Sequence, residues 1–89
     1  MQAVIAVTGK DSVGIIADVS LECKKYEVNI IDVSQTVLKD YFVMIMLVDL
    51  SALKGSFSEF VDHMNKLGES RGLVIHTMHE DIFNSMHKI

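Results

Sequence analysis

Apolar and polar positions divide the 89-residue chain into two similar halves. Ala3 to Thr8 is a run rich in Val and Ile that ends at Gly9, which predicts a strand. After the polar loop Gly9-Lys10-Asp11-Ser12, apolar residues recur at Ile16, Val19, Cys23 and Tyr26, with Ile15 beside them. That is helical spacing, with Asp11 or Ser12 as the expected N-cap. Asn29 to Leu38 predicts a second strand, and Lys39-Asp40 a tight antiparallel link into a third, Tyr41 to Leu50. The second helix carries the clearest signals. Ser56-Phe57-Ser58-Glu59 has the form of a capping box, and Phe57, Phe60, Val61, Met64 and Leu67 make one apolar stripe. Arg71-Gly72 is a helix-closing pair, Leu73 to His79 a fourth strand, and Asp81 to Ile89 a short amphipathic helix bearing Ile82, Phe83, Met86 and Ile89.

The order βαββαβ predicts an α+β fold, the ferredoxin-like sandwich: a four-stranded antiparallel sheet with two helices on one face and a short C-terminal helix. One domain over residues 1–89 is expected, with no linker, since the chain has no proline, charge run or low-complexity tract. The third strand departs from the half-exposed norm. Val43, Ile45 and Leu47 alternate with Phe42, Met44, Met46 and Val48, so both of its faces are apolar. Two helices cover only one face. The other needs the terminal segment, a second copy of the chain, or both, and at least a dimer is expected.

Composition narrows the function. Hydrophobic residues make up 49% and charged ones 22%, which is a globular balance. A mean hydropathy of +0.32 is high for so small a soluble domain and again points to an interface. With a formal charge of −4 there is no basic excess to neutralise phosphates, so nucleic acid is not an expected partner. A single cysteine excludes an internal disulfide framework and fits a reducing, cytoplasmic setting. Met1 to Ile5 has no basic region before its apolar run, and no stretch approaches transmembrane length, so neither a signal peptide nor a membrane is expected.

The loop Gly9-Lys10-Asp11-Ser12-Val13-Gly14-Ile15 is the main candidate for chemistry. Gly14 is expected in the first helical turn, where unpaired amides and the helix dipole favour a carboxylate or phosphate. The loop lacks the Gly-Lys-Ser/Thr of a P-loop and the dinucleotide fingerprint, and a purely structural turn remains the alternative.

Residues 3–50 resemble an ACT domain, the amino-acid-binding regulatory module. The resemblance lies in Gly9-Lys10-Asp11, Val13-Gly14-Ile15, Val28-Asn29-Ile30-Ile31-Asp32 and Tyr41-Phe42-Val43-Met44-Ile45-Met46-Leu47-Val48. The second and third strands are similar to those of free-standing bacterial ACT proteins and of the glycine cleavage system repressor. The ending Glu80-Asp81-Ile82-Phe83-Asn84-x-Met86-His87-x-Ile89 is similar to the tail of the small ACT family UPF0237. The resemblance implies a ligand at a subunit interface, where the strand-to-helix loop of one copy faces the start of the second strand of its neighbour. Carried onto this sequence, it nominates Asp11, Ser12, Val13, Gly14 and Ile15 in the loop and Asn29, Ile30 and Ile31 opposite. Ser12 stands where many relatives carry Arg, so an arginine contact to a ligand carboxylate is not implied at that position.

No catalytic residue, cofactor or metal is nominated. His76 and His79 sit three apart on a strand and so face opposite ways, and His63 and His87 lie elsewhere. Cys23 falls on the apolar stripe of the first helix as a core thiol. Asp32, Ser34 and Thr36 alternate along one side of the second strand with no histidine base nearby, which reads as a solvated or interfacial polar strip. The leading function is therefore a non-enzymatic module binding an amino acid or similar small ligand and acting on a separate partner. A ligand-free oligomerisation domain is the alternative, and a small metal or redox protein a distant third.

Overall fold

The computed structural model describes residues 1–10 and 13–86. Its elements are β1 (Gln2–Lys10), α1 (Ile15–Lys25), β2 (Asn29–Leu38), β3 (Tyr41–Asp49), α2 (Phe57–Arg71), β4 (Leu73–His79) and α3 (Glu80–Met86). All strand pairs are antiparallel, in the order β2-β3-β1-β4, which is the expected ferredoxin-like sandwich. Lys39-Asp40 turns β2 into β3, with Lys39 taking a left-handed φ of 57°.

Strand alternation builds the core. Ala3, Ile5 and Val7 of β1, Phe42, Met44, Met46 and Val48 of β3, and Leu73 and Ile75 of β4 point to the helical side. Onto them pack Ile15, Val19 and Cys23 of α1 with Phe60 and Met64 of α2. None of these is more than 7% exposed. Gly68 lets α2 approach β4 closely, for a Cβ there would lie 2.8 Å from the Leu73 carbonyl oxygen.

Two expectations about α1 are corrected. Its buried stripe is Ile15, Val19 and Cys23, while Ile16 is 39% exposed. Only the first member of the expected stripe changes, Ile15 for Ile16, while Val19, Cys23 and Tyr26 keep to the core. The N-cap is Gly14, in the left-handed region with φ 87°, so it precedes the first turn instead of lying in it. Asp11 and Ser12, the expected caps, lie outside the described residues. In α2 the Ser56 Oγ accepts from the Glu59 amide at 3.1 Å, as the capping box requires, and Gly72 closes the helix.

The outer face is divided. α3 lies against β1 and β4, and Val4 of that face is buried. Val43 and Ile45, near β2, remain 39% and 38% exposed. The terminal helix itself is less embedded than its pattern suggests. None of its described residues is buried, Ile82 and Met86 are exposed, and Phe83 is half-buried. His87 and Ile89 lie outside the described residues. Among the described residues no helix is long and apolar enough to cross a membrane.

Candidate ligand site at the β1–α1 turn

β1 ends at Lys10 opposite Tyr41, and α1 starts at Ile15. The Gly14 carbonyl accepts the first helical bond, from the Asp18 amide at 2.9 Å, and among the described residues no side chain caps the helix. The first amides of a helix have no intrahelical acceptor, so they can meet a side chain, water or a ligand. A groove of about 420 Å³ opens beside them, between residues 14–17 and residues 35–37 of β2, with Phe42 also lining it. It exists because β2 is an edge strand whose residues are exposed along nearly its whole length.

The nominated residues fall into two groups. Gly14 and Ile15 line the groove, although Ile15 is only 2% exposed and chiefly a core residue. Val13 is 97% exposed and does not line the groove, and its carbonyl accepts from Arg71. Asn29, Ile30 and Ile31 lie at the other end of β2, where Asn29 pairs with Asp49 and Ile30 with Val48. The ladder skips Ile31, a bulge that leaves it 45% exposed, while Ile30 packs on the core. From Ile30 to Thr36, which lies across the groove from the loop, is roughly 20 Å along β2 within one chain.

Sequence reasoning missed the far wall of the groove, Gln35, Thr36 and Val37. Thr36 was marked only as part of a polar strip, and Asp32, Ser34 and Thr36 do share the outer side, opposite Leu47, Ile45 and Val43. It also missed Arg71, read only as a helix terminator. The Arg71 guanidinium pairs with Asp18 of α1 and donates to the Val13 carbonyl at 2.7 Å.

The remaining reactive side chains sit elsewhere. Cys23 is buried, and burial, helped by the Glu22 charge, pushes its thiol up to about 11. His76 faces outward and His79 inward, where its ring stacks on Phe57 at 4.3 Å. His63 lies beside Tyr26, with ring centroids 5.2 Å apart. Among the described residues no three His, Cys, Asp or Glu side chains gather as a metal site would require.

Comparison with known proteins places this geometry. An ACT domain family model matches residues 1–77. A UPF0237 protein of Listeria innocua is 44% identical over 89 residues, covering 100% of both chains. One from Methanococcus maripaludis is 44% identical over 86 residues, covering 97% of this chain and 96% of its own. Among solved structures, an ACT domain protein from Streptococcus pneumoniae superposes with a TM-score of 0.80 at 37% identity, over 93% of each chain. A putative glycine cleavage system transcriptional repressor gives 0.70 at 26% identity, over 85% of this chain and 43% of the other. By sequence along its whole length and by fold, the chain belongs to the ACT domain family and, within it, to the UPF0237 proteins.

Proposed function

We propose that this protein is a non-catalytic cytoplasmic module that binds an amino acid or similar small ligand between two copies of itself and acts on a separate partner protein. ACT domains are typically regulatory amino-acid-binding modules, and that much holds for the family. The observation that carries the finer reading is the placement of the two nominated groups at opposite ends of one exposed edge strand. Antiparallel pairing of β2 with β2 of a second copy, about a two-fold axis near its middle, brings residues 29–31 of one copy beside residues 36–38 of the other. Each groove then gains a further wall from its neighbour. β2 suits such pairing, for it is ten residues long, has no proline and carries only Asp32 as a charge.

A thermal-shift screen over the common amino acids tests the reading. A ligand present at 100 times its dissociation constant adds about 2.7 kcal/mol of stability. Sedimentation run alongside should give at least a dimer. A monomer of native stability, or a flat response to every amino acid, sinks the interfacial site.

The second reading, an oligomerisation domain without a ligand, draws on the exposed apolar strip of Val43 and Ile45. It would be favoured by a stable dimer that no amino acid stabilises.

A further inference from the structure

The described residues of the turn that leads into α1 do little themselves to hold it. Val13 is almost wholly exposed, so its side chain contributes no burial. Gly14 is left-handed, with no side-chain cap at the helix start. Among the described residues, a Cβ built on Gly14 would meet only one side chain within 4 Å, Arg71 Nη1, at 4.0 Å. The tie to the rest of the molecule comes from the far end of α2. One guanidinium nitrogen of Arg71 pairs with the Asp18 carboxylate and another donates to the Val13 carbonyl. These partners stand 53 and 58 residues away in sequence. Arg71 and Asp18 are 25% and 40% exposed as side chains, so the clasp is partly shielded from water. Only a planar fork of donors reaches two such acceptors at once, since a lysine amine is a single point of charge.

We propose that Arg71 is a positioning residue for the groove: by clasping Val13 and Asp18 together it fixes the left-handed turn at Gly14, and so sets where the first-turn amides of α1 point. This rests on the groove being the ligand site. The clasp also joins the two halves of the molecule at that point, with the loop and α1 from the first and the last turn of α2 from the second.

Hydrogen exchange on the full chain tests the clasp without a ligand. In Arg71→Met the amides of residues 13–18 should exchange about tenfold faster or more, as expected for the loss of charge-assisted bonds, while those of β1 and β3 keep their rates. Arg71→Lys can keep the charge opposite Asp18 but not both contacts, so it should fall between wild type and Arg71→Met. Asp18→Asn should loosen the same segment. Titration with each amino acid then asks whether the turn matters to binding, and any that binds the wild type should bind Arg71→Met about tenfold more weakly, with partial rescue in Arg71→Lys.

Unchanged exchange at residues 13–18 overturns the proposal, as does unchanged affinity in Arg71→Met. A rise spread evenly over the chain in both Arg71 variants overturns it too, because it marks a general prop of the fold. A wild type that binds no amino acid defeats the function proposed above, and the exchange comparison still decides the clasp.

Discussion

The two main helices begin in opposite ways. α2 starts from Ser56, whose hydroxyl accepts from the Glu59 amide three residues on. All the chemistry of that start is local. α1 starts from a left-handed glycine with no side-chain cap, and its turn is tied down by an arginine from the other half of the chain. A side-chain cap spends a first-turn amide on the protein's own oxygen, while a glycine at the cap position has no oxygen to offer. One helix start is built for stability, and the other gives up some of it where a ligand could bind.

The comparison can be broken most forcefully at Gly14. A β-branched residue at φ 87° is strained whatever room surrounds it. Gly14→Val should therefore cost about 1–3 kcal/mol in a urea titration, and Gly14→Asn far less, because Asn tolerates the left-handed region. Equal losses in both variants would mean that something other than backbone conformation governs this position. Within the first helical turn, where the sequence pattern puts it, Gly14 would accept valine without backbone strain. The positive φ reverses that, and it makes Asn the better substitution for probing the groove.

Ser56→Ala attacks the other start and should cost about 1 kcal/mol, read by the same titration. A ligand response at the β1–α1 groove should survive it. If removing the cap cost nothing, the stability of α2 would lie wholly in the stripe of Phe60 and Met64.

Cys23 offers a gentler probe of α1. Burial holds its thiol up near 11 against a usual value of 9.0. The unfolded chain ionises first as pH rises, so this contribution to stability is full below about 9 and fades as pH climbs through 11. Chemical unfolding across that range should show the decline, and Cys23→Ala should lose it. At neutral pH, alkylation of Cys23 should be slow in the native protein. Arg71→Met should speed it more than Ser56→Ala does, since only the former loosens α1.

The smallest expected effect lies on the approach to α2. Asp49 accepts from the Ser51 hydroxyl at 2.8 Å and from the Ser51 amide at 3.2 Å, and these bonds hold its carboxyl below the usual range. A lowered carboxylate supports the fold above its unfolded value and loses that support as pH falls through the folded one. Ser51→Ala should therefore move the NMR-titrated Asp49 value upward, with only a slight change in acid stability, since the half-buried carboxylate keeps its contact with water.

What was legible in the sequence followed from short-range rules. Alternation in Phe42 to Val48 gave the inner and outer faces of β3, because successive strand residues must point to opposite sides. The Ser56–Glu59 spacing gave the start of α2, and Arg71-Gly72 its end. At α1 the same rules were off by one residue, because Ile15 and Ile16 are both apolar and nothing local says which faces the core. Burial against the sheet decided for Ile15.

The candidate site was readable only in part. Its loop is a contiguous motif and could be found. Its opposite wall, Gln35 to Val37, and its tie, Arg71, come from elements distant in sequence. The chain by itself determined the order of elements, the apolar face of each strand and the cap of α2, since each depends on neighbours a few residues apart. Tertiary structure alone decided that α3 shields the β1–β4 side of the outer face and leaves the β2–β3 side open. It also decided that Asn29 to Ile31 lie a strand's length from the loop, and that Arg71 reaches Val13. Those relations are set by how the two halves pack together, and no local pattern of residues encodes a contact across 58 positions.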